Sequence, residues 1–142
     1  MNVWAWVRIM IVAAFILMGL LLPAQPAAKP PIQWQDLGII FAFIPVGLLF
    51  VVGLQALNRR SAIVWRYPSW WVNPFNVSEP LQFFHLGGYS FLAYGMGVLL
   101  QLSISNRLFY PEAFIGLIIG AGALLGVHIC TLVFRRKMKD ST

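Results

Sequence analysis

The stretch Ala113 to Phe134, AFIGLIIGAGALLGVHICTLVF, contains no Asp, Glu, Lys or Arg and is followed at once by Arg135, Arg136, Lys137 and Lys139. A helix rising ~1.5 Å per residue needs ~20 apolar residues to cross ~30 Å of hydrocarbon, so this run is long enough to span a bilayer. Basic residues just beyond such a run mark a membrane flank. Two small-xxx-small pairs lie inside it, Gly116 with Gly120 and Gly122 with Gly126. At ~100° per residue, Gly116, Gly120 and Ala123 fall on one face, where small side chains let another helix approach closely enough for dispersion contacts and weak Cα–H bonds. The spacing predicts helix association, with the third apolar run and its Gly88 and Gly95 as the expected neighbour in the chain.

Three further apolar runs precede this one, at about Val3–Leu22, Gly38–Leu57 and Leu81–Leu102. Of the 142 residues 60% are hydrophobic and only 10% charged, against roughly 25% charged in ordinary soluble domains. That excludes a disordered chain, a coiled coil and an ordinary soluble enzyme. The expected fold class is all-α integral membrane: four transmembrane helices in a single membrane domain, residues 1–142, with the third and fourth spans an antiparallel hairpin. Outside the spans too little chain is left for a separate active domain.

The net charge is +6, but the basic residues cluster beyond apolar runs rather than along one stripe, so membrane headgroups and not nucleic acid are the expected partner. One side collects Arg8, Arg59, Arg60, Arg66, Arg135, Arg136, Lys137 and Lys139; the other has Lys29 and Arg107. The positive-inside rule then places both termini in the cytoplasm, in a bacterial-type inner (plasma) membrane. The first run has signal-peptide length at its apolar centre, but Leu22, Gln25 and Pro26 stand where a signal peptidase needs small residues. A retained anchor is expected, with Trp4 and Trp6 in the interface and Arg8 snorkelling back to the surface.

The connections carry their own signals. Pro23, Pro26, Pro30 and Pro31 predict an extended outer strap, and Asp36 suits the start of the second helix. Pro45 predicts a kink in the second span, read mainly as packing. The connection 58–80 interleaves Trp65, Trp70 and Trp71 with Arg59, Arg60 and Arg66, a pattern suited to the cytoplasmic headgroup layer, where guanidinium groups pair with anionic lipid phosphates. Ser78 is expected to cap the third helix, with Pro80 in its first turn, and Pro111 with Glu112 to start the fourth, where Arg107 can pair with Glu112.

Candidate chemistry is sparse. His85 and His128 lie ~6 and ~9 Å below the same surface by helical rise, on helices expected to be neighbours. Two imidazoles at matching depth permit ligation of one b-type haem, although His128 points roughly 120° away from the Gly116 face. His85, Tyr89, Leu92 and Met96 form a stripe at helical spacing. With two His and one Cys a closed four-ligand zinc site cannot be assembled from soft ligands, and no catalytic residues are expected. No Asp, Glu or Lys lies inside a span, which argues against an ion-coupled carrier. The expected function is a non-catalytic subunit or accessory factor of a membrane assembly, associating with other membrane subunits or with itself. The alternatives are a b-type haem or quinone-linked redox subunit using His85 and His128, and a homo-oligomeric pore or carrier for an uncharged solute.

Overall fold

The computed structural model describes residues 2–22, 32–58 and 63–140, with side chains through Arg135. It is all-helical: α1 (Val3–Leu21), α2 (Trp34–Asn58), α3 (Pro80–Ile104) and α4 (Ile115–Asp140), with a single 3-10 turn, Pro111–Phe114, leading into α4. All four helices are long and apolar enough to cross a membrane. α1 to α3 start at or before the expected positions, whereas α4 starts at Ile115, two residues after the expected Ala113 and behind the 3-10 turn, and runs on past Phe134. The outer strap expected over 23–31 lies outside the described residues, as do Arg59 and Arg60.

Local chemistry sets the helix ends. Asn2 caps α1, its Oδ1 accepting from the Trp4 amide at 3.0 Å, which satisfies one of the orphan donors of a helix start. At α2 the carboxylate of Asp36 reaches back to accept from the Gln33 amide at 2.9 Å, half of a capping box. The cap expected from Ser78 is not made: α3 begins at Pro80 behind Glu79, which makes no side-chain capping bond, and the Ser78 amide donates to Asn76 Oδ1 in an Asx turn. Glu79 is drawn elsewhere by two stronger partners, described below. α3 ends in a Schellman motif: Arg107 N–H donates to Leu102 O and Asn106 N–H to Ser103 O, with Asn106 at φ 53°, a left-handed position that Asn tolerates.

The helices stand in the order α1, α3, α4, α2, each packed on the next. Glycines set how closely they stand. A Cβ built on Gly120 would lie 2.6 Å from Gly88 O and from Leu92 N, and one on Gly116 would lie 3.1 Å from the Gly95 backbone. The other pair faces the opposite way, Gly122 against Ile44 at 2.9 Å and Gly126 against Pro45 Cα at 3.1 Å. Between α1 and α3, Gly19 and Gly97 leave no room for a side chain: a Cβ on Gly19 would collide with Tyr94 O, and one on Gly97 with Ile16 O. Pro45 is thus a packing element, buried inside α2 where α4 is narrowest.

A buried apolar cluster joins Leu48 and Val52 of α2, Leu81 of α3, and Val127 and Cys130 of α4, with Trp65, Ala123 and Phe134 packed on it. Burial is uneven along the row. Within the most apolar stretch of each helix 17% and 22% of residues are buried in α1 and α2, against 44% and 39% in α3 and α4. The outer pair is therefore covered on one flank and bare on the other.

Candidate functional site

The chain's polar interior lies at one end of the bundle, where α1 and α3 begin and α4 nears its end. Arg8 is central to it. Its guanidinium is fully buried, not snorkelled to the surface as the sequence led one to expect. Nε and Nη2 donate to Val72 O at 3.2 and 3.1 Å, Nη2 donates to Gln82 Oε1 at 2.7 Å, and Nη1 lies 3.5 Å from His85 Nδ1. A buried cation away from water is costly unless its donors are satisfied. Here the fork meets a loop carbonyl, an amide and an imidazole, so solvation comes from within the chain and the side chain has no need to reach the surface.

Gln82 relays this charge. Its Oε1 also accepts from the Ser69 amide at 3.2 Å, and its Nε2 donates to Glu79 Oε2 at 3.0 Å. Glu79 in turn accepts two bonds from Arg66, Nε at 3.1 Å and Nη2 at 2.8 Å, the two-point geometry that gives Arg–carboxylate pairs their strength. Arg66 is half-exposed, but its fork is committed to Glu79 rather than wholly to lipid phosphate. Glu112 is likewise engaged away from Arg107, accepting from the Ile32 amide at 3.1 Å.

The segment 63–79 folds back over this hub. Its base is closed by Val64 N–H donating to Ser78 O at 2.8 Å, and Asx turns at Asn73 and Asn76 shape its return. Ile63 and Pro74 are buried. Trp65 stacks on Phe134 with centroids 4.4 Å apart. Trp70 packs on Tyr89 at 5.1 Å and on His85 at 6.1 Å, with Arg8 5.8 Å from its ring, within cation–π range. Trp71, Tyr67 and Phe75 keep about half of their surface exposed. The aromatic loop is therefore divided, with some rings locked into the bundle and others facing outward.

His85 and His128 are brought toward one ring, Tyr67, which stands edge-on to both with centroids at 6.4 and 6.1 Å. His85 is buried and also touches Tyr89 at 4.9 Å, whereas His128 is exposed. With Arg8 as donor, Nδ1 of His85 accepts and the proton of the neutral ring sits on Nε2. That tautomer leaves no free lone pair for iron, so the donor set as arranged does not fit a haem held between the two imidazoles. Among the described residues no three of His, Cys, Asp and Glu come together as a metal site.

The sequence reading missed the partnership of Arg8 with Gln82 and His85. An arginine inside an apolar run is itself the available signal, since such a group is usually paired in the interior. Its partners lie 74 and 77 positions away along the chain. No family model matches this chain, and comparison with curated proteins and with solved structures likewise gives no match.

Proposed function

We propose that this chain is a small multi-pass protein of a bacterial-type inner membrane, with both termini cytoplasmic and α3 and α4 an antiparallel hairpin, acting as a non-catalytic subunit or accessory factor of a membrane assembly. The observation that carries the reading is the bare outer flank of α2. Ile39, Phe43, Val46, Phe50, Leu54 and Leu57 all stay exposed and recur at the three- and four-residue steps of one helix face. Beside them Gly47 has nothing within 4 Å of where a side chain would begin. Large side chains beside a small open one form a surface into which a second helix can interlock. The polar interior supports the same reading, because the donors of Arg8 and the carboxylate of Glu79 are taken up within the chain rather than directed at a cavity.

A photoactivatable residue placed at Phe43 and irradiated in native membranes tests the proposal. The expected product is one discrete adduct with another membrane protein, identified by mass spectrometry. Adducts with lipid alone, or solely with a second copy of this chain, would overturn the subunit reading.

A further inference from the structure

On α3, away from the Arg8 hub, an apolar groove of about 400 Å³ opens between α1 and α4. Its walls are Phe15 of α1, Phe83, Phe84 and Phe91 of α3 and Ile119 of α4, with Phe75 of the loop at one end. Phe75 and Phe83 meet at 6.4 Å and Phe15 and Phe91 at 6.5 Å. The floor is Gly87, beyond which no atom lies within 4 Å of a would-be Cβ. Ser90, the polar side chain on the lining, has turned its hydroxyl to donate to Leu86 O at 2.8 Å, so it offers the groove no donor.

Four observations limit the occupant. The lining offers almost nothing to a polar ligand, so what enters is hydrocarbon. The groove lies within helices that are long and apolar enough to cross a bilayer, so acyl chains are the solvent at its mouth. A partner helix ~10 Å across would have to pass Phe75, which stands at one end against Phe83. The end near the loop is also the basic end, where Arg8, Arg66 and Arg135 gather; Glu79, one helical turn before Phe83 on α3, holds the half-exposed Arg66 through Nε and Nη2, which leaves Nη1 for a phosphate. A chain lying in the groove brings its headgroup to that level.

We propose that this groove is a binding site for one acyl chain of an anionic phospholipid, its phosphate at the level of Arg66. The site depends on the helices lying in a bilayer, which resistance of the protein to alkaline extraction from membranes checks separately. It does not depend on which protein partner α2 meets.

The test uses the full-length protein in phosphatidylcholine vesicles doped with phosphatidylglycerol bearing a diazirine on its acyl chain, or with phosphatidylcholine bearing the same label. The expected result is cross-linking to the peptide containing Phe83, Phe84 and Phe91, stronger for the phosphatidylglycerol probe. Gly87→Leu, whose Cβ meets no atom within 4 Å and whose side chain takes up space in the groove, is expected to lower that labelling by about tenfold, the effect of ~1.4 kcal/mol of lost affinity. Gly38→Leu, at an exposed position near the start of α2 with nothing within 4 Å of its Cβ, should leave it unchanged, and equal thermal stability of both variants shows that folding is intact. Labelling that is equal for the two headgroups, or unaffected by Gly87→Leu, would overturn the site. So would displacement of the probe by an isoprenoid but not by unlabelled phosphatidylglycerol, or a cross-link from this peptide to a second copy of the chain.

Discussion

At the scale of single residues the fold depends on Arg8 more than on any apolar side chain near it. Replacing it with Ala strips Gln82 and His85 of a donor and leaves Val72 O unpaired beneath the loop. Unsatisfied buried groups cost ~1–3 kcal/mol each, more when the lost donor was charged. Arg8→Ala is therefore expected to lower stability by about 3 kcal/mol, read as a clear fall in Tm in mild detergent. Arg8→Lys should recover only part of it, because an ammonium cannot reproduce the planar fork. An unchanged Tm for Arg8→Ala would show that the hub does not hold the loop. Locally only the presence of an arginine inside an apolar run was legible, not the partners that solvate it. A hydropathy reading treats Arg8 as an isolated cost to be moved to the surface, because the groups that solvate it come from segments far along the chain. The depth of His85 was legible from helical rise, but not its commitment to Arg8, which uses the lone pair that a metal would need.

At the scale of elements the two glycine pairs of α4 divide their work, Gly116 and Gly120 toward α3, Gly122 and Gly126 toward α2. Both pairs stand out in the sequence, and so does the partnership of the first with Gly88 and Gly95. The angular step from 120 to 122 is ~200°, which in hindsight separates their faces. Leucine at Gly120 must displace backbone of α3, whereas leucine at Gly122 meets the side chain of Ile44 first. Gly120→Leu should accordingly be the more damaging, with loss of folded protein by size-exclusion chromatography. Gly122→Leu should give folded protein of lowered Tm, with overpacking costing ~1–3 kcal/mol. Equal behaviour of the two would refute this division of faces. The helix ends were less legible. Ser78 has the right chemistry for a cap, but the helix starts one residue further on, behind Glu79, and the pull of Arg66 and Gln82 on Glu79 depends on tertiary contacts.

At the scale of the whole molecule, length and hydropathy alone made the four apolar helices legible, because burial in lipid demands nothing of long-range pairing. Their order in space was not, since an apolar surface does not name its neighbour. Arg8, Arg66 and Arg135 share the end where the loop folds back, while Asp36 and Glu112 share the other. On the positive-inside rule an alkaline phosphatase fused at the C-terminus should be inactive and one inserted near Pro30 active. The reverse pattern would invert the proposed orientation while leaving the packing untouched.

The spatial order α1, α3, α4, α2 also bears on how the chain is assembled. Neighbours in sequence are usually neighbours in space, yet α1 and α2 stand at opposite edges with no packed interface between them. Each must remain in the membrane unpaired until the second half of the chain is made. α1 gains its docking face once α3 is made, and α2 only when α4 follows. A ribosome stalled after α2 would therefore leave two unassociated helices, one with an arginine whose partners have not yet been translated.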